Sequence, residues 1–176
     1  MESYKKYNCL KTNNFTFANY SLDTIQHIHI EKIRIWRNSQ INVLRQKEAI
    51  SIKEQELYFK NIVWPEMEKD QPKQILFSFF YKSQLIGYGG LTNISWIDKR
   101  TELSFLVNNL RADKKDLYSK DFHSFLNLIK KVTFSVLDFN RLFTETYDVR
   151  DDHLKILENN GFIFEGRLID HNFING

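Results

Sequence analysis

Asn160-Gly161-Phe162-Ile163-Phe164-Glu165-Gly166-Arg167-Leu168-Ile169-Asp170-His171-Asn172-Phe173-Ile174-Asn175-Gly176 is the stretch whose reading decides the fold. Gly161 stands where a short helix over 153–160 needs a left-handed stop. Residues 162–173 then read as a strand, and Asn175-Gly176 is a strong two-residue hairpin signal. The strand that would return from that turn is expected to be missing, leaving a sheet edge open unless a neighbouring chain covers it. Working backwards, 142–147 reads as a strand. Before it, Phe122, Phe125, Leu126, Ile129, Val132, Thr133 and Val136 share one face of a long helix ending near 137.

Further back lies Ile75-Leu76-Phe77-Ser78-Phe79-Phe80-Tyr81, an apolar run too short and too aromatic for a helix. Lys82-Ser83-Gln84 turns it into a second strand over 85–91, and a third covers 102–107, giving an antiparallel meander. Towards the start, Phe15-Thr16-Phe17 and residues 20–26 carry strand-forming side chains. Ile30, Ile33 and Trp36 mark a helix over 29–38. Ser51-Ile52-Lys53-Glu54 has the spacing of a capping box, so a second helix starts at Ile52 and runs towards Trp64, where Pro65 ends or kinks it. The order is strands, two helices, three strands, helix, strand, helix, strand: an α/β (α+β) layer structure with a mixed sheet. Residues 1–19 read as an arm or extra strand, and 20–176 as one domain.

The chain has 176 residues and 42% hydrophobic content, enough for one real core and too little for two domains. Its 25 basic and 22 acidic residues are interspersed, so no single-sign field suits a nucleic acid or an anionic membrane. The single cysteine, Cys9, excludes an internal disulfide framework and fits a packed side chain in a reducing cytoplasm. No apolar run reaches the roughly 20 residues of a membrane span, and the first ten residues are too polar for a signal peptide. His27 and His29 are only two apart with no evident third ligand, so no metal is expected.

Four segments, in this order, resemble the GNAT acetyltransferases: Trp36-Arg37-Asn38, Ile86-Gly87-Tyr88-Gly89-Gly90-Leu91, Thr101-Glu102-Leu103-Ser104-Phe105, and Asn160-Gly161-Phe162 with Glu165-Gly166-Arg167-Leu168. They are similar to the branch that holds ribosomal-protein N-acetyltransferases and acetyltransferases of nucleotide-linked amino sugars. The resemblance implies a sheet with helices on both faces, whose fourth and fifth strands splay apart. Acetyl-CoA would lie in that gap, its pantetheine on the backbone of Phe105, Leu106 and Val107, with Phe105, Leu106 and Phe143 as apolar walls or as ordinary core. The family's glycine loop for the pyrophosphate falls near 117–122, where this chain has no glycine. Backbone of Ser119, Lys120, Asp121, Phe122 and His123, aided by one or two of Arg111, Lys114, Lys115 and Lys120, would hold it instead. The family's helix tyrosine, the acid for the leaving thiolate, is replaced by Leu157, and Tyr147 is the nearest substitute in sequence.

The acceptor amine arrives as an ammonium and needs a base. Glu102 is the first candidate, against an alternative as a salt-bridged strand residue. His171 is a second, and Glu145 or Asp148 could bind the ammonium. Arg37, Asn38, Arg45 and Gln46 bracket the connection between the first two helices and suit a diphosphate. Tyr88 joins them, and Trp96 either stacks on a sugar or base or anchors a loop. The implied activity is acetyl transfer from acetyl-CoA to a small amine, a nucleotide-linked amino sugar of glycan building before a protein N-terminus. A GNAT-shaped binding subunit is the non-enzymatic alternative. A homodimer is the expected assembly.

Overall fold

The computed structural model describes residues 4–44, 46–147 and 151–171. In chain order come β1 (Asn14–Phe17), β2 (Tyr20–Thr24), α1 (Ile30–Ser39), α2 (Ile52–Tyr58), α3 (Trp64–Met67), β3 (Ile75–Tyr81), β4 (Gln84–Ser95), β5 (Arg100–Val107), α4 (Asn109–Ala112), α5 (Lys115–Lys130), β6 (Arg141–Phe143) and α6 (Asp151–Asn159). The six strands form one sheet in sequence order. Pairing is antiparallel from β1 to β5 and parallel between β5 and β6. This is the mixed, mostly antiparallel α/β sheet that the apolar runs predict.

Local chemistry sets the corners. Lys82 and Ser83 adopt positive φ, 46° and 63°, so Tyr81 and Gln84 close a two-residue hairpin between β3 and β4. The Ser51 hydroxyl accepts from the Glu54 N–H at 3.2 Å, and the Glu54 carboxylate accepts from the Ser51 N–H at 2.8 Å. That capping box starts α2 at Ile52 as expected. Pro65 does not end the helix: a π-helical turn, Phe59–Val63, lets it run on into α3. At the far end Gly161 takes φ 82°. Its N–H donates to Glu158 O at 2.9 Å, and the Phe162 N–H to Leu157 O at 3.1 Å, the double bond pattern of a glycine helix stop.

The sheet has two covered faces. Phe105 lies opposite Gly89, where an added Cβ would sit 2.8 Å from Phe125 of α5; the missing side chain is what lets α5 approach. Tyr88 and Leu106, the next opposed pair, point to the other face by the pleat, where Tyr88 meets α1 through Arg37. Helices on both faces follow. The core between α5 and the sheet is aromatic, with Phe79, Phe122 and Phe125 fully buried.

β5 and β6 pair only at Arg100–Arg141, Thr101–Leu142 and Glu102–Phe143. β5 continues to Val107 while β6 stops, so these strands part as the splay requires. The strand expected over 142–147 is therefore shorter, because residues beyond Phe143 have no ladder to join. The strand expected over 162–173 does not form over 162–171. Its Ile163, Phe164, Leu168 and Ile169 are exposed, and β6 touches the segment through Arg141, whose guanidinium bonds both oxygens of Glu165. Residues 172–176, with the Asn175-Gly176 hairpin, lie outside the described residues.

Candidate active site

Trp36, buried in the core, fixes the last turn of α1, and this turn presents Arg37 and Asn38 to the far side of the sheet. The Arg37 guanidinium donates to Tyr88 Oη at 2.7 Å and to Gln46 Oε1 at 3.0 Å. Gln46 donates in turn to Asn38 Oδ1 at 2.9 Å, and Asn38 also exchanges two bonds with the Ile50 backbone. Four residues singled out from sequence, Arg37, Asn38, Gln46 and Tyr88, are thus one hydrogen-bonded network. Arg45, the fifth, lies outside the described residues. Burial raises the Tyr88 phenol above its usual range, so it stays neutral beside the guanidinium.

Glu102 shares this face, since it lies opposite Thr92, four residues along β4 from Tyr88, or roughly 13 Å. Its carboxylate is buried and accepts from Asn93 Nδ2 at 2.5 Å. Asn93 reaches it from a left-handed backbone, φ 47°, beside the register shift of β4.

The Asn108 N–H donates to Ile86 O at 2.8 Å, which fixes the alternation along β5. Even-numbered residues turn their peptide groups to β4, and Leu103, Phe105 and Val107 turn theirs to the edge that β6 leaves open. Of the three residues expected to hold pantetheine, Phe105 and Val107 have the right orientation. Leu106 does not, because its peptide groups belong to β4. Gln40, which sequence reasoning missed, donates its side-chain amide to Val107 O at 2.8 Å.

The segment 119–123 corrects an expectation. It lies inside α5 rather than at a loop, so its N–H groups are consumed by the helix. The N–H groups that helix geometry leaves without intrahelical partners are those of Lys115, Asp116 and Leu117. Asp121 is fully buried, held by Arg111 through two bonds of 2.6 Å and by Tyr20 Oη at 2.9 Å; a carboxylate so enclosed anchors α5 and cannot meet a phosphate. Phe122 is core. Ser119, Lys120 and His123 do come together, lining a groove of about 230 Å³ with Ile156, Asn159 and Asn160 of the α6 end. Among the cations, Arg111 is taken by Asp121 and Lys115 pairs with Asp152 at 2.8 Å.

Trp96 is a loop anchor: its indole N–H donates to Pro72 O at 2.8 Å and its ring meets Phe139 edge-on. Phe105 packs as core against Phe122, with centroids 4.5 Å apart, and Leu106 is buried. Tyr147 is half-buried and Glu145 exposed, both after the end of β6. His171 is exposed and outside any strand, because the strand expected to carry it is not formed. Asp148 lies outside the described residues. Leu157 belongs to the core. One turn before it, His153 lies 2.7 Å from Tyr118 Oη through Nδ1, a buried pair that sequence reasoning missed. Cys9 packs against the core, and burial pushes its thiol up to about 11, which leaves it inert at neutral pH. Among the described residues no group of three or more His, Cys, Asp or Glu could hold a metal ion, and no helix is long and apolar enough to cross a membrane.

The same fold occurs in a spermidine N-acetyltransferase from Vibrio cholerae solved with CoA and spermine, at TM-score 0.76 and 17% identity over 91% of this chain and 90% of that one. Mutant forms of a spermidine/spermine N-acetyltransferase from Vibrio cholerae give TM-score 0.72 at 19% identity over 91% and 88%. A dodecameric form from the same organism gives 0.66 at 20% over 91% and 88%. No curated protein sequence matches the chain. The family model described as "Acetyltransferase (GNAT) domain" matches residues 22–176, nearly the whole chain. With the parted strands and the open β5 edge already in place, the chain belongs to the GNAT family of acetyl-CoA-dependent N-acetyltransferases.

Proposed function

We propose that this enzyme acetylates a primary amine on a small molecule that also carries an anionic group, with a nucleotide-linked amino sugar as the acceptor class. The observation that carries the reading is Arg37. Its guanidinium is held by two neutral oxygens, those of Tyr88 and Gln46, with no carboxylate on it among the described residues. It therefore keeps its full charge in a fixed orientation, the property wanted for gripping a diphosphate. A polycation would meet repulsion there.

Acetyl-CoA supplies the activated acetyl group. The peptide groups of Phe105 and Val107 would receive its pantetheine. The first N–H groups of α5, with Lys114 and Lys120, would face its pyrophosphate. Glu102 takes a proton from the incoming ammonium, and Asn93 holds that carboxylate in place. Self-association as a homodimer belongs to the same reading, supported by the exposed apolar side chains of 163–169.

Polyamine acetylation is the second reading, favoured by the named substrate of the structural neighbours. Mass spectrometry of reactions with acetyl-CoA and a panel of UDP-linked amino sugars, spermidine and short peptides decides between them. The expected result is acetylation of a sugar nucleotide, with Arg37→Ala raising the acceptor KM about 10- to 100-fold, in line with loss of a charged hydrogen-bonded contact, and leaving the acetyl-CoA KM unchanged. Preference for spermidine, improved by Arg37→Ala, would establish the second reading. Absence of acetyl-CoA binding at millimolar concentration in calorimetry would remove both.

A further inference from the structure

The edge of β5 that β6 leaves open ends at Val107, and there the carbonyl is already engaged. Gln40 closes α1 as its C-cap, with φ −127° and ψ 28°, and its side chain crosses to that edge. Its Nε2 donates to Val107 O at 2.8 Å and, over a longer 3.4 Å, to Trp36 O. Both partners are carbonyl oxygens, which only accept, so the amide has one orientation: nitrogen towards them, oxygen away. Among the described residues nothing donates to Gln40 Oε1, which stays open to solvent. Val107 is 1% exposed, whereas Gln40 is half-buried. A molecule moving along this edge therefore meets the Gln40 oxygen before the Val107 carbonyl. A brace between α1 and β5 needs only the nitrogen; the oxygen is left over for another task.

We propose that Gln40 is part of the acetyl-CoA site, its Oε1 accepting a pantetheine N–H in place of the Val107 carbonyl that its Nε2 occupies, an inference that rests on the acetyltransferase reading above. An amide of pantetheine laid along a strand edge presents one C=O and one N–H, as a peptide does, and needs a donor and an acceptor from the protein. The Val107 N–H points the same way as the Val107 carbonyl and is the donor. The strand's own acceptor is withdrawn by Gln40, and the side-chain carbonyl on the same amide replaces it. Gln40 thereby fixes how far the cofactor slides along β5, and so where its thioester stands relative to Phe105. The Gln40 N–H donates to Arg37 O at 3.2 Å, so the cofactor edge and the arginine of the acceptor wall share one turn of α1. A purely structural role for Gln40 would disturb both sides of the reaction, and a role in holding pantetheine only one.

The test compares Gln40→Leu, which keeps the bulk and removes the amide, with wild type, using the best amine of the panel. The expected result is an acetyl-CoA KM about tenfold higher, the loss of one hydrogen bond to the cofactor, with kcat and the amine KM within twofold of wild type. A second measurement leaves the wild-type chain intact. On adding CoA to protein labelled with 13C and 15N, the Gln40 Cδ resonance, assigned by its absence from Gln40→Leu, should shift as Oε1 gains a donor. Its Nε2 protons should exchange with solvent no faster, because the bond to Val107 O persists. An unchanged acetyl-CoA KM, equal rises in the acetyl-CoA and amine KM values, or faster Nε2 exchange with CoA bound would overturn the role of Gln40 and leave the acetyltransferase reading intact. Wild-type protein that binds no CoA at millimolar concentration would overturn both.

Discussion

His29 uses Nδ1 as an acceptor, from the Gln26 N–H at 3.1 Å and beside Ser78 Oγ at 2.7 Å. Protonation there breaks the bond from the Gln26 N–H and forces the Ser78 hydroxyl to turn from donor to acceptor. Burial holds its pKa below the ordinary 6.5; Lys32 adds to the effect and Asp23 opposes it. The unfolded chain therefore binds the proton first as pH falls. The stabilisation is complete above about pH 6.5 and is lost as pH drops through the folded-state pKa. Melting curves at pH 7.5 and 5.5 should show a larger fall in Tm for wild type than for His29→Asn. Equal falls would mean that other groups carry the acid sensitivity. At this scale the sequence was partly legible. Arg37, Asn38 and Tyr88 were visible because they belong to short motifs, whereas Gln40, Asn93 and the Tyr118–His153 pair depend on contacts between residues 9 to 67 positions apart.

Elements were legible where the signal is local. The Ser51 capping box and the Gly161 stop are single-turn chemistry, and both were read at the right residue. The start of α5 was not. Taking Phe122 as the first residue of the apolar stripe left 117–122 as a loop, although Tyr118 extends the stripe by one turn and is buried. The interleaved lysines and aspartates over 113–121 hid that turn. Asp121 shows the consequence: it is a buried ion-pair partner that ties α5 to Arg111 of α4 and to β2 through Tyr20. Asp121→Asn leaves Arg111 half-enclosed without its counter-charge, at a cost of about 3–5 kcal/mol. A Tm fall of roughly 6–20 °C is expected for a chain of this size, with acetyl-CoA affinity unchanged at a permissive temperature. An unchanged Tm together with tenfold weaker binding would instead make Asp121 a ligand contact.

For the whole molecule, the order of the sheet follows from successive short-range pairings, so it could be read along the chain. The parting of β5 from β6 could not be located that way, because it concerns strands separated by α4 and α5 and depends on where β6 stops at Phe143. The strand expected after residue 161 failed for the same reason, since strand-forming residues need a ladder to join. The parting also makes binding observable. Phe105 and Val107 turn their N–H groups to the open edge, whereas Leu106 already donates to β4. Saturating acetyl-CoA should therefore slow amide hydrogen exchange at Phe105 and Val107 at least tenfold and leave the already slow Leu106 little changed. Ligand at 100 times Kd adds about 2.7 kcal/mol of stability, a Tm rise of roughly 5–10 °C. Both effects together place the ligand along β5. A Tm rise without protection of Phe105 and Val107 would put it elsewhere.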